Sequence, residues 1–143
     1  MDNVLPQLKD IIMKRNGKVV IRPDSGEPVD IICGDSASNK ETIRKGIVER
    51  LFQLFGGTIN EKGYKELDPH IGVVYGDSIT PDRAKRICEG LINKGFASTN
   101  TALGIGSLTY QYVTRDTFGF ALKGTAEDIY GVFKAIQKRP ATD

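Results

Sequence analysis

The sequence is poor in the residues from which metal centres and disulfide frameworks are built. It contains two cysteines, Cys33 and Cys88, and a single histidine, His70. Each cysteine directly follows an isoleucine, and neither has a cysteine or histidine partner at metal-ligand spacing. We therefore predict reduced cysteines that serve in packing, and a cytoplasmic protein. His70 lies in a loop beside a proline, where we expect a structural or solvated histidine.

Long apolar runs and an excess of one charge are also missing. No apolar run approaches the ~20 residues that a membrane span requires, and the acidic, then amphipathic first residues do not resemble a signal peptide. The net charge of the 143 residues is +2 and the basic residues are scattered. These features argue against nucleic-acid and membrane partners. The composition, 39% hydrophobic and 27% charged, is typical of a globular domain.

The sequence does contain an alternation of helical and strand patterns. A short β-branched run predicts a strand at 18–22, and further strands are predicted at 71–75 and 101–105, with amphipathic helices before and between the three strands. Ser38 with Glu41 has the form of a capping box, and Thr80 with Pro81 predicts another helix start. This order predicts an α/β fold with parallel strands. We expect a loop at 58–69 and a strand at 118–123, while 125–139 fits either a helix or a hairpin.

A polar or glycine-rich turn follows each of the three predicted strands, at 22–26, 76–78 and 104–107. Ligands of parallel α/β proteins gather at the carboxyl ends of the strands, so these turns share one site if the strands are neighbours. Carboxylates accept hydrogen bonds from ribose hydroxyls, and glycines let backbone N–H groups approach a phosphate. The turns together suit a phosphorylated sugar, although each alone is also an ordinary turn.

The segment 17–28, with the sequence GKVVIRPDSGEP, resembles a signature of nicotinamide phosphoribosyltransferases. Further blocks follow in the order typical of that family: GYK at 63–65, VYGD at 74–77, LGIGS at 103–107 and TRD at 114–116. The tail fits as well, from 120–123 to Lys138, Pro140, Thr142 and Asp143. As an ordered set these blocks cover nearly the whole chain and are far more specific than any one of them.

The resemblance implies transfer of phosphoribose from phosphoribosyl pyrophosphate to nicotinamide, which gives nicotinamide mononucleotide and pyrophosphate, with Mg²⁺ assisting. It also implies a homodimer of the type II phosphoribosyltransferase fold, an irregular α/β barrel with an α+β part. A closed barrel of this kind needs roughly 250 residues. We therefore expect residues 1–143 to form one partial domain, a partial (β/α) barrel with a C-terminal β-hairpin.

The resemblance also implies roles for the first two turns. Arg22 would lie against the nicotinamide ring and Asp24 would hold the ribose hydroxyls, which makes these two the expected catalytic residues. Gly76 and Asp77 would contribute to the ribose pocket.

Phosphate binding is implied for the third turn and the tail. Gly106 and Ser107 would offer backbone donors to the 5′-phosphate. Arg115, Lys123 and Lys138 would reach phosphates across a dimer interface.

Two classes of function stay open at this point. The family's phosphorylatable histidine and its amide-reading aspartate lie upstream of the blocks matched here, and the context of His70 does not fit that histidine. We therefore expect a fragment, a split-gene product or a separate domain, whose exposed strand edges favour a homo-oligomer. It is either part of the enzyme or a non-catalytic module that binds a phosphoribosyl ligand or dimerises. A relative that uses nicotinate is a narrower alternative.

Overall fold

The computed structural model describes residues 3–76, 78–113, 115–120, 122 and 124–136. The chain divides into two compact units, Met1–Tyr112 and Val113–Asp143. The helices are α1 (Leu5–Lys14), α2 (Pro28–Cys33), α3 (Glu41–Phe55), α4 (Pro81–Asn93) and α5 (Ser107–Gln111), and the strands are β1 (Val19–Ile21), β2 (Gly57–Ile59), β3 (Lys65–Leu67), β4 (Ile71–Tyr75), β5 (Thr101–Leu103), β6 (Ala126–Ile129) and β7 (Val132–Ala135). Short 3₁₀ helices lie at Ser98–Asn100 and Arg115–Phe118. Across the described segments, no helix combines the length and apolarity that a membrane crossing requires.

The first unit is built on a parallel sheet with the strand order β1-β4-β5. Val19 pairs with Ile71 and Val73 pairs with Thr101, so both pairings run in parallel. The central strand β4 is the most deeply buried, because Ile71 and Tyr75 are each 1% exposed. The predicted α/β class with neighbouring parallel strands is therefore confirmed.

The core lies between this sheet and the helices α2, α3 and α4. Helix α2 packs against both α3 and α4. The buried side chains that fill the space include Ile32, Val48, Leu51, Ile87 and Leu91. The predicted start of α4 is confirmed, since Thr80 Oγ1 accepts a hydrogen bond from the backbone N–H of Arg83 at 3.3 Å.

Two local predictions in this unit are wrong, and one helix has a break that was not predicted. Ser38 does not cap a helix, because α3 begins at Glu41 without a side-chain cap. Its hydroxyl accepts instead from the backbone of Lys40. Helix α3 is also interrupted at Gly46, where φ is +72° and the backbone passes close to Gly34. The segment 58–69 is not a simple loop, since β2 and β3 pair there as an antiparallel hairpin.

The second unit contains the C-terminal β-hairpin of β6 and β7. Its turn places Tyr130 and Gly131 at positive φ, 54° and 79°, as a tight hairpin turn requires. The side chain of Asp128 accepts a hydrogen bond from the N–H of Gly131 at 2.8 Å. The hairpin predicted for this region is confirmed over 126–135. The strand predicted at 118–123 is wrong, since Phe118 ends a 3₁₀ helix and the other described residues there lie outside any strand.

Candidate functional site

The loops that follow β1, β4 and β5 meet at the carboxyl edge of the sheet. A β-carbon built on Gly76 would lie 3.8 Å from Nη2 of Arg22, so the arginine side chain lies against this glycine. A β-carbon built on Gly104 would lie only 2.7 Å from the Cα of Gly76. The loop after β1 thus touches the loop after β4 through the guanidinium of Arg22, and the loop after β4 touches the loop after β5 through backbone atoms. A side chain at position 104 would force the loops after β4 and β5 apart.

Tyr75 holds the turn that carries Asp24. Its ring is buried at the end of β4, and its hydroxyl donates a hydrogen bond to the carbonyl oxygen of Gly26 at 2.9 Å. Gly26 has φ of +93°, a conformation that glycine adopts without steric cost. The turn is therefore fixed at one end by β1 and at the other by Tyr75. Asp24 and Ser25 lie exposed between these two anchors.

The third loop leads into the short helix α5. Gly106 is the N-cap residue and is exposed, and nothing lies within 4 Å of a β-carbon built on it. Its carbonyl accepts a hydrogen bond from the N–H of Thr109 at 3.0 Å. The Thr109 hydroxyl donates to the carbonyl of Ile79 at 2.6 Å. This hydrogen bond connects α5 to the loop after β4, and the open backbone at Gly106 leaves room for a ligand.

An arginine outside the predicted site joins the first two loops. Nη1 of Arg83 donates to the carbonyl of Ser78 at 2.7 Å, and its Nη2 lies 3.3 Å from Oε2 of Glu27. Nη1 of Arg86 lies 3.9 Å from Oε1 of the same carboxylate. Sequence reasoning did not select Arg83, because its only local signal is a position three residues after Thr80. Its partner Glu27 is 56 residues away along the chain.

The structure brings together part of the predicted residue set. Arg22 contacts Gly76 directly, and Asp24, Gly106 and Ser107 lie in loops or a helix that belong to the same unit. Arg115 begins a 3₁₀ helix of the second unit. The remaining predicted residues, Asp77, Lys123 and Lys138, lie outside the described residues.

The single histidine has a structural role before β4. Nδ1 of His70 lies 2.7 Å from Oδ1 of Asp68, and the His70 backbone N–H donates to the same oxygen at 2.9 Å. That backbone hydrogen bond is the main cause that lowers the pKa of Asp68. Within the described segments, no three His, Cys, Asp or Glu side chains cluster so that they could hold a metal ion.

Both cysteines are free thiols. Cys33 is buried and donates a weak hydrogen bond to the carbonyl of Ile87 at 3.4 Å. Burial raises the pKa of the Cys33 thiol to about 11. This thiol therefore stays protonated at neutral pH and packs between α2 and α4, as predicted.

Comparison with known proteins identifies a family and several relatives that this chain resembles. Residues 1–143 match the nicotinate phosphoribosyltransferase (NAPRTase) family. The nicotinamide phosphoribosyltransferase of Acinetobacter baylyi is 51% identical over 96% of this chain. Those of Mycoplasma pneumoniae and Mycoplasma genitalium are 44% and 38% identical over 100% of it. The chain spans 28%, 32% and 32% of the lengths of these three relatives.

Proposed function

This chain belongs to the nicotinate phosphoribosyltransferase family, and from that premise we propose that it carries the phosphoribosyl-binding part of a nicotinamide phosphoribosyltransferase. The whole enzyme would transfer phosphoribose from phosphoribosyl pyrophosphate to nicotinamide. One observation carries the proposal. Arg22 lies against Gly76 where the loops after three parallel strands meet, in a chain whose relatives bear that enzyme's name.

Within this site, Arg22 and Asp24 take the roles closest to the chemistry. The exposed guanidinium of Arg22 is a planar cation that can stack on the pyridine ring of nicotinamide. The exposed carboxylate of Asp24 accepts hydrogen bonds from the ribose hydroxyls. Gly76 and Asp77 would complete the ribose pocket from the loop after β4, where the Arg22 side chain lies against Gly76.

The phosphate would be bound from two directions. Gly106 and Ser107 offer backbone N–H groups at the start of α5, where the open space beside Gly106 permits close approach. Arg115, Lys123 and Lys138 would add cations from a second copy of the chain, which is the reason to propose a homodimer. The finer fold assignment, a partial (β/α) barrel in a cytoplasmic enzyme, belongs to the same proposal.

The reaction is a substitution at the anomeric carbon of the ribose. The bond to pyrophosphate breaks, the nitrogen of nicotinamide bonds to the carbon, and positive charge develops on the sugar ring. The Asp24 carboxylate would stabilise that charge, as carboxylates do in glycoside hydrolysis. Mg²⁺ would arrive with the pyrophosphate group. The chain's own residues would contribute positioning and fixed charge.

The comparisons bear on the choice between nicotinamide and nicotinate. The family is described by nicotinate, whereas relatives at 51%, 44% and 38% identity are named for nicotinamide. We therefore propose nicotinamide. A non-catalytic module that binds a phosphoribosyl ligand or dimerises is the second candidate. We expect this chain alone to bind nicotinamide mononucleotide without measurable turnover.

The test combines binding and turnover on the purified 143-residue chain. Isothermal titration with nicotinamide mononucleotide should give saturable binding that is weakened at least about tenfold by Asp24→Asn or Arg22→Ala, the size of a lost charge-assisted contact. Asp10→Asn and Arg15→Ala are matched exposed controls on or next to α1.

Turnover is measured with nicotinamide, phosphoribosyl pyrophosphate and Mg²⁺. Product formation would show that this chain assembles a working site alone and would exclude the non-catalytic reading. Absence of binding by the wild-type chain, or equal binding by Asp24→Asn, would contradict the proposed site.

A further inference from the structure

One guanidinium joins the loops after β1 and β4. Arg83, in the first turn of α4, donates to the Ser78 carbonyl at 2.7 Å and lies 3.3 Å from the Glu27 carboxylate. The side chains of Arg83 and Glu27 are only 32% and 34% exposed, so this bridge is partly shielded from water. The backbone of Arg83 is itself anchored by the cap hydrogen bond to Thr80.

The bridge ends on a strained residue. Ser78 has φ of +53°, in the left-handed region that residues with a β-carbon avoid. Strain of this kind persists only where the surroundings enforce it, and it concentrates at functional loops. The hydrogen bond from Arg83 is charge-assisted and acts on the carbonyl of the strained residue itself. It therefore stabilises this conformation directly.

The geometry requires an arginine rather than any cation. The two acceptors, the carbonyl of Ser78 and Oε2 of Glu27, are reached by different nitrogens of one rigid fork. A lysine would bring a single nitrogen and could not hold both acceptors in this arrangement. Arg86 does not substitute for it, because its closest approach to Glu27 is 3.9 Å and its side chain is 51% exposed.

We propose that Arg83 is a positioning residue for the phosphoribosyl site, because it fixes the loop after β4 against the loop after β1. Gly76, which contacts both Arg22 and Gly104, lies two residues before Ser78. If the bridge is lost, Ser78 relaxes out of the left-handed region and Gly76 shifts with it. Ligand affinity then falls although no group that touches the ligand has been removed. The identity of the ligand in this inference rests on the proposed function. The bridge itself is a contact within the protein and does not depend on that function.

The binding test uses Arg83→Gln and a second change, Ser78→Gly, in the 143-residue chain. Arg83→Gln should weaken binding of nicotinamide mononucleotide about tenfold, the size of one charge-assisted hydrogen bond. Ser78→Gly in that background should recover most of the loss, since glycine tolerates positive φ without the bridge. Arg86→Gln is the matched control on the same helix and should change affinity by less than about twofold, as partly exposed charges do.

A second readout needs no ligand. In the free chain, Arg83→Gln should shift the backbone amide NMR signals of Ser78, Gly76 and Ile21, and Ser78→Gly should return Gly76 and Ile21 towards their original positions. Arg83→Lys, which keeps the charge, replaces Arg83→Gln if the latter does not fold, and should show the same pattern.

The outcomes separate this inference from the proposed function. If the wild-type chain does not bind nicotinamide mononucleotide, the proposed function fails, and the amide signals alone decide on the bridge. Unchanged Gly76 and Ser78 signals in the Arg83 variants overturn the positioning role. An affinity loss that Ser78→Gly does not recover also overturns it, because the loss then does not act through Ser78.

Discussion

Gly104 and Gly76 are in direct backbone contact, with the Cα of Gly76 only 2.7 Å from where a β-carbon on Gly104 would stand. The contact follows from the sheet, because Tyr75 and Leu103 pair in register and the N–H of Gly104 donates to the carbonyl of Tyr75 at 2.7 Å. Two parallel strands thus end at the same level. Each following loop begins with a glycine, so no side chain separates the two backbones. The closeness of the second and third loops of the candidate site depends on this pair.

Replacement of Gly104 by alanine should therefore destabilise the fold. Its β-carbon would meet backbone rather than a flexible side chain, so the loops must separate. We expect a loss of about 1–3 kcal/mol in the free energy of unfolding, typical of overpacking, measured by urea denaturation. Gly124→Ala is the control, since nothing lies within 4 Å of a β-carbon built on Gly124. Equal midpoints for the two variants would contradict this account.

Tyr75→Phe tests the anchor of the Asp24 turn. The change removes the hydroxyl that donates to Gly26 and leaves the buried ring in place. We expect a loss of about 1 kcal/mol in stability and faster amide hydrogen exchange at 24–26. Tyr110→Phe removes a hydroxyl from a side chain that is 75% exposed and should change neither quantity. Unchanged exchange in Tyr75→Phe would show that the turn does not depend on this hydrogen bond.

Asn100→Asp should give a defect that depends on pH. Asn100 is 6% exposed, and its Nδ2 donates to the carbonyls of Lys65 and Ala97 at 2.8 and 2.9 Å. A carboxylate there would face two carbonyl oxygens, which raises its folded pKa above the unfolded value of about 3.9. The destabilisation should therefore be small below about pH 4 and grow to about 3 kcal/mol as pH rises. Urea midpoints across pH, relative to wild type, measure this.

The exposed substitution Asn16→Asp controls for the added charge. It should shift the midpoint little at any pH. A defect of Asn100→Asp that is constant from acid to neutral pH would mean that its carboxylate is not forced against the carbonyls.

Cys33 gives a prediction at alkaline pH. Burial raises its folded pKa from 9.0 to about 11, so the unfolded thiol ionises first as pH rises. The stability that Cys33 contributes is fully present below pH 9 and is lost as pH rises through about 11. The difference in unfolding midpoint between wild type and Cys33→Ala should shrink over that range. In the native protein, iodoacetamide should modify Cys88 before Cys33.

Much of the fold was predictable because its signals are local. The strand at 71–75 was predicted at its observed bounds, since Ile71, Val73, Val74 and Tyr75 form a strand-favouring run between polar turns. Thr80 and Pro81 likewise predicted the start of α4, which begins at Pro81 with Thr80 as its N-cap. The hairpin turn was favoured by Gly131 together with the family resemblance.

The failures come from long-range contacts that no local pattern reports. Ser38 has the spacing of a cap, but α3 starts at Glu41, and Gly46 breaks that helix where its backbone passes Gly34. Of the candidate site, the sequence predicted that the turns with Arg22 and Gly76 share one edge of the sheet, and these two residues do lie together. The sequence did not indicate Arg83 in α4 and Glu27 before α2, which lie 56 residues apart and meet only in the folded chain.

The most direct test of the central claim is an NMR titration of the wild-type chain with nicotinamide mononucleotide. We predict saturable amide shifts at 21–22 and 24–26, at Gly76 and at 104–106, with the α1 signals unchanged. Shifts confined to Thr42 and Leu54, which with Pro6 line a separate cavity, or no shifts at saturating ligand, would contradict the claim that these three loops form a phosphoribosyl site.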